Sequence, residues 1–178
     1  MLHVYGFERI GVAVSDLYFV NPDPEPGQEG AEHGVRLEVR LLEKQPLDGS
    51  IYASRPILVG RPVWRADLLE SVAGKPGSHD RTHHHPTMRG WEPGKRKFER
   101  GLSADPLGWL ESRLSDLDTL LDEAEISRDE AHPSDAAQLK AAAPEIVATA
   151  RRLLERVRAG ELAVAPDETP ESARMSWL

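Results

Sequence analysis

The chain has 178 residues, of which 39% are hydrophobic and 29% are charged, and its formal net charge is -8. This length suits one domain with a real core, and the composition excludes a disordered chain and a membrane protein. The acidic balance argues against a nucleic-acid binder. The absence of cysteine excludes disulfides, thiolate nucleophiles and Cys-ligated metals, so any metal must be bound by His, Asp and Glu.

The first strand patterns lie before residue 44. Residues 2–14 alternate loosely, and after a turn at 15–16 the apolar run 17–20 predicts a second strand. Three prolines and two glycines in 21–30 predict an exposed loop. The clearest alternation runs over 33–43 and predicts a half-buried antiparallel strand.

The next stretch is expected to complete the sheet. A turn at 47–50 leads into a partner strand over 51–59, and the glycine and proline in 60–62 predict a turn or kink. In 63–70, Trp64, Ala66 and Leu68 alternate with Arg65, Asp67 and Leu69. This pattern predicts a strand, with a short helix as the alternative.

The remaining chain has helical patterns. Asp105 followed by Pro106 is typical of a helix start, and leucines at spacings of three and four predict one helix over 107–121. Three carboxylates border its apolar stripe: Glu111, Asp118 and Asp122. After a break at 127–133, we expect a short helical turn over 134–143 and a last helix from Pro144 to about Gly160.

Strands followed by helices predict an α+β fold, with an antiparallel sheet in the N-terminal part and C-terminal helices packed on one face or end. We expect a single domain over 1–178. Its parts are mainly strands over 1–72, a histidine-rich basic loop over 73–104, helices over 105–160 and a tail, expected to be partly disordered, over 161–178.

Four of the seven histidines lie within residues 79–85. In an extended backbone His83 and His85 point to the same side, which makes a two-histidine metal clamp, while His84 points away. His79 and Asp80 can reach the clamp from the preceding turn. A carboxylate from elsewhere would complete the site, and the candidates are Glu111, Asp118, Asp122 and Glu38. This ligand chemistry suits Zn, Fe, Mn, Ni or Cu.

Two alternatives need no metal. One is acid–base catalysis by a His–Asp pair, and the other is a structural role in which the imidazoles bind loop backbone or stack on Trp91. For the metal-dependent hypothesis the predicted roles are metal ligation by His79, His83 and His85, catalysis by Asp80 and His84, and substrate binding by Arg81, Arg89 and Trp91. The arginines would bind an anionic group.

Two resemblances concern this part of the chain. The spacing of Gly77, His83, His85 and Glu92 resembles the opening of the first cupin motif, which implies metal binding, but Glu92 is spaced too far away and no second motif follows. Segments 64–70, 80–86, 90–93 and 105–109 are similar to an uncharacterised family of small actinobacterial proteins. That resemblance implies no activity.

Several familiar motifs are absent, namely the Walker phosphate loop, the dinucleotide fingerprint, the Gly-x-Ser-x-Gly elbow and the His-Glu-x-x-His helix. No nucleotide cofactor is therefore expected. No apolar run approaches the roughly 18 residues of a spanning helix. The N-terminus lacks a signal-peptide pattern, so a cytoplasmic location without membrane contact is expected.

These observations favour a small metal-dependent enzyme that acts on an anionic small molecule. Hydrolysis is slightly preferred because water activation needs the least extra machinery. The alternative is a non-catalytic protein-interaction or self-assembly module, including a homo-oligomer. It would meet a protein partner or a second copy through the basic loop and an exposed strand edge, with residues 21–30 as an adaptable segment.

Overall fold

The computed structural model describes residues 1–165. Most of the predicted tail, including Trp177, lies outside the described residues. Five strands form one antiparallel sheet in chain order: β1 (Leu2–Gly6), β2 (Ile10–Val20), β3 (Ala31–Lys44), β4 (Ile57–Ser71) and β5 (His83–His85). The two short strands of a small hairpin, β6 (Met88–Arg89) and β7 (Glu92–Pro93), follow.

In the described part of the chain the helices follow the strands, as predicted: α1 (Arg100–Ala104), α2 (Pro106–Leu114), α3 (Leu117–Glu123) and α4 (Asp135–Arg158), with a 3-10 turn at Arg128–Glu130. The α+β prediction is confirmed. Asp105 caps α2 by accepting a hydrogen bond from the Gly108 amide at 3.0 Å, and Pro106 occupies the first helical position. Within residues 1–165 no helix is both long and apolar enough to cross a membrane.

The two faces of the sheet have different neighbours. On the inner face, Val35, Leu37 and Val39 of β3 lie opposite Leu68, Ala66 and Trp64 of β4 and share one core with α4. Side chains alternate along a strand, so the residues between them point to the outer face. There the pairing places Arg36 opposite Asp67, and β5 then places His83 opposite Asp67.

Three predicted strand boundaries differ from the structure. β2 continues through 15–16 because its pairing with β3 extends to Val20. The partner strand of β3 begins only at Ile57, and residues 60–62 lie inside it. The pairing shifts on both sides of Arg40, so a bulge takes the place of the predicted turn.

Two predicted helix boundaries were also wrong. The helix expected over 107–121 is divided, because Asp116 accepts hydrogen bonds from the Thr119 amide at 3.1 Å and its hydroxyl at 2.8 Å and starts a new helix. The two helices expected around Pro144 are one, α4, with Pro144 exposed in its interior. Buried residues before and after the proline, such as Leu139 and Ile146, pack in the same core.

Candidate metal centre

Two neighbouring strands bring one carboxylate and two imidazoles together on the outer face of the sheet. β5 lies within the segment that was expected to be a loop, and its antiparallel pairing with β4 sets His83 opposite Asp67 and His85 opposite Arg65. Because residues two apart share a face, both imidazoles lie on the side of Asp67. All three side chains are buried, and Asp67 is 1% exposed.

The ligand atoms of this group lie close to one another. The two Nε2 atoms of His83 and His85 are 3.2 Å apart. Asp67 Oδ2 is 3.4 Å from His83 Nε2 and 3.6 Å from His85 Nε2. A tetrahedral metal site with bonds of about 2.0–2.1 Å has ligand atoms about 3.3–3.4 Å apart, which matches this spacing. Asp67, His83 and His85 could therefore hold a metal ion.

The backbone fixes the orientation of both rings. His83 Nδ1 lies 2.7 Å from the Arg81 carbonyl, and His85 Nδ1 lies 2.7 Å from the Gly94 carbonyl. A carbonyl only accepts, so we assign the proton of each ring to Nδ1, which donates it. In its neutral form each ring then presents the lone pair of Nε2 to the same point. Hydrogen bonds of this kind are typical of histidines that ligate metals.

Two arginines surround the carboxylate. Arg36 donates from Nε to Asp67 Oδ1 at 2.7 Å and from Nη2 to Oδ2 at 3.2 Å, and Arg65 Nε lies 3.2 Å from Oδ2. Burial alone would raise the pKa of Asp67, but these guanidinium groups hold it well below its ordinary value. Burial also lowers the pKa of His83 to about 4. Near neutral pH the group is therefore one carboxylate and a neutral His83.

Arg65 has a second contact in the group. Its Nη2 lies 3.1 Å from His85 Nε2 and can donate to that lone pair. Its buried Nε, despite its proximity to Asp67, has no well-directed hydrogen-bond acceptor among the described residues. Arg65 therefore lies against the same two atoms, His85 Nε2 and Asp67 Oδ2, that a metal would use.

A cleft of about 400 Å³ opens onto this group. The hairpin strand β7 and Gly94 form one wall, and β2 and β3 contribute Phe19 and the buried Glu32. Burial raises the pKa of Glu32. Six charged side chains line the cleft: Arg36, Arg65, Arg96, Glu32, Asp67 and Glu92.

The other residues proposed from 79–81 lie outside the group. His79 has a left-handed backbone conformation (φ 52°), and its Nδ1 is 3.3 Å from Glu70. Asp80 accepts hydrogen bonds from the Ser71 amide at 3.0 Å and the Ser78 hydroxyl at 2.7 Å. Arg81 donates to the Gly27 carbonyl at 2.9 Å and thereby holds loop 21–30.

The remaining predicted residues also have other surroundings. His84 points into the inner core, where its Nε2 lies 3.0 Å from Glu99 Oε1 and its ring contacts Trp109. Arg89 is exposed on β6. Trp91 is 64% exposed and lies beneath the guanidinium of Arg40. Neither Arg89 nor Trp91 is among the described residues that line the cleft.

The carboxylate of the group comes from none of the predicted positions. Asp118 and Asp122 pair with Arg128 at the surface, Glu38 pairs with Arg40 at 2.8 Å, and Glu111 is exposed. The carboxylate that lies beside both imidazoles is that of Asp67, on the polar side of the alternation in 63–70. The alternation of Arg65 and Asp67 with apolar residues in this strand was a usable signal, but its partner strand could not be identified from the sequence.

Comparisons with known proteins identify no relative of the chain. No protein-family model matches the chain, and no curated protein or solved structure matches it significantly.

Proposed function

We propose that the chain is a metal-dependent enzyme that binds a divalent cation through Asp67, His83 and His85 and acts on an anionic small molecule in the adjoining cleft. One observation carries the proposal. Three acceptor atoms converge within 3.2–3.6 Å while both imidazole Nδ1 atoms are already used by backbone carbonyls. A cation between these atoms turns their mutual repulsion into attraction.

The ligand set favours particular chemistry. Two histidines and one carboxylate suit Zn, Fe, Mn, Ni or Cu, and three protein ligands leave at least one position for water or substrate. A cation there would polarise a bound oxygen or lower the pKa of bound water. We propose hydrolysis, because a metal-bound water at the cleft needs no further cofactor.

The two alternatives, a metal-free ion-pair network and a self-assembly module, explain fewer of these observations. An ion-pair network explains why Asp67 is buried beside Arg36 and Arg65 and gives His85 Nε2 a donor in Arg65 Nη2. With the ring proton on Nδ1, it still leaves His83 Nε2 facing two acceptors, His85 Nε2 at 3.2 Å and Asp67 Oδ2 at 3.4 Å.

A self-assembly module is supported by two exposed apolar side chains, Ile51 and Tyr52, which are 83% and 90% exposed. These two side chains lie in the connection between β3 and β4. A self-assembly module would give no role to Asp67, His83 and His85.

The test is metal content and affinity. Protein purified without a tag is analysed for bound metal, stripped with a chelator and titrated with Co²⁺, whose visible spectrum reports tetrahedral His and carboxylate ligation. We expect one cation per chain. His83→Ala, His85→Ala and Asp67→Asn should each weaken binding on the order of 100-fold or more, since each removes a ligand.

His79→Ala is the matched control, because it removes a histidine of the same segment that lies outside the group. It should bind Co²⁺ like the parent protein. If the parent binds no cation, or if the three ligand variants bind as tightly as it does, the metal-dependent function is wrong and the self-assembly alternative is the one to pursue.

A further inference from the structure

We propose that cation binding at Asp67, His83 and His85 displaces Arg65 and creates a binding site for a phosphate-class dianion, so that cation and dianion bind cooperatively. This inference rests on the proposed function and names the ligand class of the same cleft. Three observations support it: the contacts of Arg65, the independent support of Asp67, and the charge balance of the cleft.

Arg65 and a metal compete for the same atoms. Arg65 Nη2 lies 3.1 Å from His85 Nε2, and its Nε lies 3.2 Å from Asp67 Oδ2. The ring nitrogen has one lone pair, because its Nδ1 already donates to Gly94. It cannot serve a guanidinium N–H and a metal together. Metal binding must therefore break the contact between Arg65 and His85.

Asp67 keeps its orientation when Arg65 leaves. Arg36 donates to Oδ1 at 2.7 Å and approaches from the neighbouring strand β3, where it lies directly opposite Asp67. Arg65 is held less well, since its Nε has no well-directed acceptor among the described residues. Asp67 is thus fixed by Arg36, while Arg65 is the arginine that can be released.

The charges of the cleft then require an anion. Three arginines, Arg36, Arg65 and Arg96, face three carboxylates, Glu32, Asp67 and Glu92, so the formal charges of the lining balance. Histidines that ligate a metal are neutral. A divalent cation therefore leaves two uncompensated positive charges in a partly buried site, and one dianion neutralises both.

The released group defines the kind of anion. A guanidinium binds phosphate oxygens through two parallel hydrogen bonds, and a freed Arg65 would lie beside the metal. The cleft of about 400 Å³ has room for a small molecule with such a group. A singly charged carboxylate would neutralise only half of the excess charge, so the favoured ligand is a phosphorylated small molecule.

The experiment measures linkage between the two ligands. The full chain is titrated with micromolar Co²⁺ in inorganic phosphate, in acetate and in chloride at equal ionic strength. We expect phosphate to tighten Co²⁺ binding about tenfold or more relative to chloride, and acetate to have a smaller effect. Free phosphate complexes Co²⁺ and weakens its apparent affinity, so a tightening cannot come from the buffer.

Variants assign the effect to Arg65. Arg65→Met should bind Co²⁺ more tightly than the parent in chloride, because the competitor is gone, and should lose most of the phosphate effect. Arg65→Lys keeps the charge but not the paired donors, and should retain only part of the effect. Arg40→Met is the matched control: Arg40 lies on the same face and pairs with Glu38, so the variant should behave like the parent.

The outcomes separate the two proposals. If the parent binds no Co²⁺ in any buffer, the metal centre itself is wrong and this inference falls with it. If the Co²⁺ affinity, corrected for the Co²⁺ that free phosphate complexes, is equal in phosphate and chloride, the metal centre stands and the cooperative dianion site is overturned. The parent protein alone gives this result, so it does not depend on whether the Arg65 variants fold.

Discussion

Three consecutive histidines have two kinds of surroundings, and the alternation of a strand accounts for the difference. His83 and His85 lie on the outer face beside Asp67, whereas His84 lies on the inner face against the stacked rings of Trp64 and Trp109. His84 is fully buried, and burial lowers its pKa although Glu99 partly opposes this shift. Its position is that of a core residue.

The variants His84→Ala and His83→Ala should therefore fail in different ways. His84→Ala opens a cavity beside two tryptophans and removes one of the partners of Glu99, so we expect a loss of about 2–4 kcal/mol in the free energy of unfolding. Its Co²⁺ affinity should be unchanged. His83→Ala should lose Co²⁺ binding at a smaller cost in stability. Urea unfolding and Co²⁺ titration of both variants measure the two effects.

An opposite result would reassign His84. If His84→Ala loses Co²⁺ while its folded spectrum and urea midpoint stay like those of the parent, His84 belongs to the functional group. A substitution that fills the same volume, His84→Phe, supplies a second comparison, because it should recover part of the packing without any ligand atom.

The sequence predicts that His83 and His85 share one side of a strand, but it does not predict which carboxylate lies beside them. The period of two is a local property, so it applies to His83 and His85 wherever their strand is placed. Asp67 lies in another strand, beyond a connecting segment whose path the sequence does not specify. Its proximity to His83 follows from strand register, which arises from packing across the whole sheet.

At the scale of elements, the β3–β4 pair positions the site through a close backbone approach. Gly34 lies opposite Leu69 in the pairing, two residues before Arg36, and has φ 155°. A Cβ atom at this position would lie 2.0 Å from the Leu68 carbonyl oxygen. The carbonyl belongs to the backbone next to Asp67, so it cannot move without shifting β4.

Gly34→Ala should consequently cost about 3 kcal/mol or more in the free energy of unfolding and weaken Co²⁺ binding as well. The matched control is Gly101→Ala in α1, where the added Cβ meets only Trp109 Cδ1 at 3.5 Å. That variant should be neutral or gain up to about 1 kcal/mol, as expected for alanine in a helix. Urea unfolding compares them, and equal stability of both would contradict the proposed role of Gly34.

The helices show why the spacing of apolar residues alone does not locate where a helix begins and ends. The leucine stripe over 107–121 has helical spacing, but Asp116 uses its side chain to start α3 and so competes with a continuous helix. Pro144 acts in the opposite way: it usually ends or starts a helix, yet α4 continues through it. Because the proline ring is exposed, the missing hydrogen bond falls on the solvent side, while the buried face continues.

In the molecule as a whole, the order of strands and helices along the chain predicted the fold class. The two faces of the sheet have different surroundings. The inner face joins the helices in one apolar core, and the outer face carries the polar group of Arg36, Asp67 and the two histidines. The arrangement of that outer face was not predictable, since it depends on residues from three strands.

Burying histidines has a consequence for the stability of the entire fold. The pKa of His83 is about 4 in the folded chain, against its ordinary value of 6.5, because burial penalises the charged ring. Well above pH 6.5 the ring is neutral in both states and its shift has little effect on stability. As the pH falls towards 4, the unfolded chain takes up a proton that the folded chain does not.

The metal-free protein should therefore lose stability from pH 7 to about pH 5, with about 2 kcal/mol of the loss due to His83. His84 and His79 have pKa values lowered by burial and add to the same trend, whereas the raised pKa of Glu32 opposes it. The lowered pKa of Asp67 matters only below its ordinary value of 3.8, outside this window. Urea midpoints measured with a chelator present test the trend. His83→Gln should flatten it, and a parent profile that is level or rises towards pH 5 would contradict the buried neutral state of His83.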